Sequence, residues 1–233
     1  MKLAVMQPYF LPYLGYFQLI HAVDLFVVYD NVKYTKKGWI NRNRFLRDGE
    51  PKSFSINLAK ASDYSLIVEK NISPEFEKNR RKLLAQIEAS YRNAPGFEES
   101  YPVIEGCFLC DEPNLFRFIL LSLETVTAFL EIETRMVVSS SLPIDHRLKN
   151  KHKLWAISDH LGVSDYVNPE GGKTLYDKGE FSERGIALSF LEPGLTPYRQ
   201  YEHAFVPGLS ILDVLMFNGK KRTREMLDDF ALS

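Results

Sequence analysis

Two short apolar runs, Leu3 to Met6 and Leu25 to Tyr29, bracket a segment whose apolar residues recur at helical spacing as far as Val23. Both runs are continuously apolar rather than alternating, as expected of strands covered on both faces, and a parallel pair needs a crossover helix between them. The first run breaks at Gln7-Pro8, and a turn containing Pro12 and Gly15 leads into the helix. In such units the loop between the first strand and the helix N-terminus is the natural ligand site, so Gln7 to Tyr16 is the first place to look for function.

The pattern further along predicts more of the same architecture. Asp48-Gly49 reads as a hairpin turn into an alternating, half-buried strand at 52–58. Helical spacing marks 74–94, opened by Pro74, and the more apolar 112–130. A strand at 134–140 precedes a helix from Asp145 to Leu161, stopped by Gly162. Strands at 163–167 and 185–190 follow, then a closing helix from Ser210, a plausible N-cap, to Asn218. This order predicts an α/β chain with a Rossmann-like, mainly parallel sheet, helices on both faces and a helical insertion in the middle. It predicts one domain over 1–233, with 74–131 as a mostly helical insertion or sub-domain.

Composition narrows the function classes. The 233 residues include 29 Lys and Arg against 30 Asp and Glu, a net charge of -1 that argues against nucleic acid or an anionic membrane as partner. The N-terminus reads as neither signal peptide nor span, and Arg117 and Glu124 interrupt the most apolar helix, so no membrane span and a cytoplasmic location are expected. Cys107 and Cys110 form a C-x-x-C without nearby histidine ligands. They read as small buried hydrophobes, and no structural metal is predicted.

Candidate chemistry gathers after the second strand. Residues 31–47 hold three Lys, three Arg and no acid. Such a run is either a solvated face or, with Trp39, Arg42, Asn43 and Arg44 together, a set of donors suited to a phosphate or sugar-phosphate. Asp30 ends the second strand, where carboxylates meet ribose, hydroxyl or metal. Gly171, Gly172 and Lys173 repeat the logic of strand, glycine loop and helix, as an ordinary turn or as an anion loop. There is no nucleophile elbow, no H-E-x-x-H and no G-x-G-x-x-G after a strand.

Gln7-Pro-Tyr-Phe-Leu-Pro-Tyr-Leu-Gly-Tyr-Phe17, Asp24 to Asp30, Trp39-Ile-Asn-Arg-Asn-Arg44 and Phe205 to Leu215 with Asn218 together resemble the WbqC-like family along nearly the whole chain. Tyr13 stands where a Trp is frequent, and Asn31 where an Asp is frequent. The resemblance implies a role in bacterial O-antigen and other surface-polysaccharide biosynthesis. Tyr13-Leu-Gly-Tyr16 also stands where nucleotidyltransferases of the pantothenate-synthetase and cytidylyltransferase type carry H-x-G-H. Tyrosine stays neutral near pH 7, so this resemblance implies a nucleotide-like ligand more than the same reaction.

The combined expectation is a transferase acting on a nucleotide-activated sugar or a related phosphate-bearing intermediate. Asp30 and Tyr16 are the candidate catalytic groups. Gln7, Tyr13, Gly15, Trp39, Arg42, Asn43, Arg44, Gly171, Gly172 and Lys173 are the candidate binding groups. The competing expectation is a non-catalytic protein of the same pathway that holds a glycan or a partner. A nucleotide is the compatible cofactor class, and homo-oligomerisation is left open.

Overall fold

The computed structural model describes all 233 residues. β1 (Lys2–Met6) and β2 (Leu25–Val28) form the parallel pair that the two apolar runs predict, with Leu3 opposite Leu25 and Met6 opposite Val28, joined by α1 (Leu14–His21). A separate antiparallel hairpin follows, β3 (Arg42–Arg47) with β4 (Glu50–Ser55). Its turn residues Asp48 and Gly49 have φ of 53° and 78°, the paired positive values that favour Asp-Gly at a tight hairpin. β3 is absent from the sequence expectation because four of its six residues, among them Arg42, Arg44 and Arg47, are polar or charged. Its period of two emerges only in burial, with Asn43 and Phe45 turned inward.

Three helices then run in succession: α2 (Pro74–Tyr91), α3 (Phe97–Leu109) and α4 (Leu115–Phe129). Ser73 caps α2 through Glu75 N, with Pro74 at the first helical position, and Asn114 caps α4 through Arg117 N. The chain returns through β5 (Arg135–Val138), α5 (Asn150–Leu161), β6 (Asp165–Pro169), α6 (Lys178–Ser182) and β7 (Ala187–Pro193). It closes with α7 (Ile211–Glu225) and β8 (Phe230–Leu232). α7 runs past the expected end at Asn218, breaking only at Gly219, whose φ of 65° is non-helical. No helix is long and apolar enough to cross a membrane.

The main sheet has the order β5-β2-β1-β6-β7-β8, parallel except for β8. Its two faces carry separate cores. Leu3, Val5, Leu25 and Val27 face the core under α5 and α6, while Ala4, Phe26 and Val28 face the larger core shared with α1, α4 and α7. This two-sided burial is why the sequence runs are unbroken. From β1 the chain proceeds outward on one side to β2, while β6 pairs on the other side. The gap between the carboxyl ends of β1 and β6 is therefore the switch point where open α/β sheets hold ligands.

Candidate functional site

The loop from Gln7 to Tyr13 leaves β1 at this edge and forms part of two distinct cavities. Its backbone is fixed tightly. Leu11 has a left-handed φ of 43°, rare for a branched side chain, and its carbonyl accepts from Asn43 Nδ2 at 2.6 Å and Ser210 Oγ at 2.7 Å. Phe10 N donates to Ile40 O and Ile211 N to Pro12 O. The hydroxyl of Tyr16 donates to the Gln7 carbonyl at 2.8 Å.

The larger cavity, about 640 Å³, opens where β1 and β2 end. Gln7 lines it from β1, Tyr29 and Asn31 from β2, Tyr176 from beyond β6, and residues 146–154 from the β5–β6 connection. Lys33, Arg147, Lys149 and Lys153 also line it, with His146, and no carboxylate does. Arg147 is engaged by Asp145, whose carboxyl it holds down at about 2, but Lys33 and Lys149 have no acidic partner. Lys149 is the N-cap of α5 and offers no side-chain cap, so the first N–H groups of that helix keep their positive polarity at the cavity.

Lys153 is the least expected member. Only 1 % of its surface is exposed, its Nζ donates to Asn31 Oδ1 at 2.8 Å, and it lies 4.7 Å from the centre of the Tyr29 ring. Burial lowers its pKa, partly offset by the charge of Asp30. Asn31 Oδ1 also accepts from Ser139 Oγ at 3.1 Å, which leaves its amide nitrogen facing His146 Nδ1 at 2.9 Å. His146 Nε2 lies 3.0 Å from the Leu142 carbonyl and must be the donor there. With Nε2 donating to Leu142, Nδ1 is placed to accept from the Asn31 amide.

The smaller cavity, about 250 Å³, is lined by Tyr9, Pro12, Tyr13, Trp39, Asn43, Arg44, Leu195 and Gly208. The two cavities meet at one contact, Tyr9 OH to Gln7 Oε1 at 3.5 Å.

Of the residues singled out by sequence, Tyr13, Trp39, Asn43 and Arg44 come together in the smaller cavity, and Gln7 in the larger. The others lie outside the two linings and make contacts within the fold. Tyr16 is 2 % exposed and packed against Tyr9 and Phe26, with burial raising its pKa well above the usual range; it is a strut for the loop rather than a reactive group. Asp30 is fully buried, its Oδ1 taken by Ser140 N at 2.9 Å and its Oδ2 without a partner, and it is absent from the lining of the cavity. Arg42 spends its guanidinium on the carbonyls of Gly38 and Lys37. Gly15 is a packing residue whose added Cβ would lie 2.5 Å from the Tyr13 ring. Gly171 and Gly172 form a 3-10 turn after β6, and Lys173 is paired with Glu192 and Glu170, which cancels the charge an anion would need.

Sequence reasoning passed over Lys33, His146, Lys149 and Lys153 as members of one site. A usable signal was present: residues 146–153 hold four Lys or Arg and two His with no acid, and five residues separate them from a predicted strand. Apolar spacing drew attention to the helix instead. No group of three or more His, Cys, Asp or Glu side chains is placed to hold a metal ion.

A model of the WbqC-like protein family matches residues 7–225, a span that contains the lining of both cavities. The uncharacterized protein Rv1507c of Mycobacterium tuberculosis (strain ATCC 25618 / H37Rv) is similar, at 26% identity over 221 residues, which is 93% of each chain. No solved structure matches.

Proposed function

The chain belongs to the WbqC-like family, which is linked to polysaccharide biosynthesis, and we propose that it is a transferase acting on a nucleotide-activated sugar or a related phosphate-bearing intermediate of a bacterial surface polysaccharide. The observation that carries this reading is the larger cavity: four cationic side chains and an uncapped helix N-terminus, without one carboxylate, at the carboxyl ends of β1 and β2 in a parallel sheet. Lys33, Lys149 and the first turn of α5 hold the phosphates. Tyr29 and Tyr176 flank the ligand, and their raised pKa values keep the phenols neutral. Lys153, tied to Asn31 and backed by Asp30, donates to the oxygen on which charge develops as the phosphate leaves.

Calorimetry with pyrophosphate and a panel of nucleotide sugars tests this. Lys33→Ala and Lys149→Ala are each expected to weaken binding about five-fold at low salt, and the difference shrinks as ionic strength rises. Binding that ignores both substitutions and the salt sinks the reading.

A second reading, a non-catalytic protein that holds the same intermediate, is favoured by the burial of both Asp30 and Tyr16. Mass spectrometry of purified protein with nucleotide sugars and candidate group donors decides between them. Turnover at any mass shift favours the transferase, and a Lys153→Met variant that binds normally but has lost turnover places the chemistry at that amine.

A further inference from the structure

The chemistry of the smaller cavity differs from that of its neighbour. Its walls are Tyr9, Tyr13 and Trp39 with Pro12 and Leu195, and Arg44 is its single cation. Trp39 keeps 45 % of its surface exposed, although an indole stabilises a fold most when buried. The ring is nonetheless held in place. The guanidinium groups of Arg42 and Arg44 lie 5.7 and 5.3 Å from its centre. Both are committed to backbone, Arg42 Nε to Gly38 O at 2.8 Å and Arg44 Nη2 to Gly208 O at 3.3 Å.

Asn43 is committed as well. Its amide nitrogen serves Leu11 and Phe10, and its oxygen accepts from Arg44 N. The free polar groups are the two phenols and Arg44 Nε, which is buried without a partner. Tyr13 OH has no partner in the chain, and Tyr9 OH has only the long contact to Gln7. A phosphate would find a single cation, half-held by Gly208 O, in a space below the usual range for ligands of nucleotide size. A pyranose fits every term. Its C–H face suits the negative face of an aromatic ring, its hydroxyls suit unpartnered phenols, and it brings no charge that needs neutralising.

From this we infer that the smaller cavity is a saccharide subsite, taking one pyranose ring of the acceptor or of the sugar intermediate. The Tyr9–Gln7 contact sets that ring one side chain away from the phosphate cavity. Binding of the ring stands independently, while its role as the second substrate rests on the transferase reading.

The chain has two tryptophans, so its indole N–H signals report separately: Trp39 at the cavity and Trp155 on α5. Methyl glycosides of a hexose, a 6-deoxyhexose and an N-acetylhexosamine are titrated into labelled full-length protein and followed by proton–nitrogen correlation spectra. At least one is expected to shift the Trp39 signal saturably with an affinity on the order of 1–10 mM while Trp155 stays still. Tyr13→Phe, which removes one hydroxyl and keeps the ring, is expected to weaken that binding roughly five-fold. A Trp39 signal unmoved by all three up to about 50 mM, or moved by uridine and not by any glycoside, overturns the inference. Pyrophosphate calorimetry on the same sample separates the two readings. Pyrophosphate binding with a still Trp39 removes the saccharide subsite alone, whereas a glycoside shift without pyrophosphate binding removes the phosphate reading and leaves the subsite.

Discussion

At the scale of single residues, Lys153 is the buried cation of the larger cavity, with the charge of Asp30 nearby. A lysine with 1 % exposure is tolerated because Asn31 accepts from its amine and Asp30 supplies opposite charge nearby. Lys153→Met strands a buried carboxylate whose Oδ2 already has no partner. Unfolding in urea is expected to show a loss of about 2 kcal/mol, of which Asp30→Asn in the same background restores more than half. Two independent, additive losses would show that the residues are uncoupled. The lowered pKa of Lys153 also fixes a pH dependence. Between its folded value and the ordinary 10.5 the unfolded chain binds the proton and the folded chain does not, so this group's contribution to stability rises with pH. The advantage of the native protein over Lys153→Met should therefore widen from pH 8 to pH 10. None of this was legible in the sequence, where Lys153 is one basic residue among several and nothing marks it as buried.

At the scale of elements, α1 shows a conflict between local preference and packing. Gly15 lies in its first turn, where alanine is intrinsically better by about 1 kcal/mol. An added Cβ would lie 2.5 Å from the Tyr13 ring and 2.8 Å from Pro193 Cβ. Overpacking of that kind costs about 1–3 kcal/mol, so Gly15→Ala is expected to lower the melting temperature despite its helix propensity and to disturb the Tyr13 wall of the smaller cavity. An unchanged or raised melting temperature would mean that the Tyr13 ring swings away freely. The elements themselves were largely readable: β1, α1 and β2 from their apolar runs, α2 from spacing and Pro74, and α4 from its apolar spacing. β3 was hidden by its charged face. α3, with Pro102 inside it, and the three-residue β8 gave too little periodicity to read.

At the scale of the molecule, the two-faced core is the shared foundation of both cavities, and Cys107 reports on it. Burial pushes its thiol up to about 12 and that of the half-buried Cys110 up to about 11. At pH 8 the thiolate fraction of even the more reactive of the two is on the order of one in a thousand, so native protein should resist iodoacetamide. Cys107 should label only as fast as the core opens. Prompt alkylation of Cys107 in native protein would show that α3 opens on its own. Sequence pattern made the sheet visible, but it could not place the cavities, because their walls come from segments far apart in the chain. The left-handed turn at Leu11 carries this furthest. A leucine in that conformation costs about 1–2 kcal/mol, and the two side chains that grip its carbonyl lie 32 and 199 residues further along. The binding loop therefore keeps its shape only while α7 is docked, so a substitution that loosens α7 is expected to weaken ligand binding at a distance.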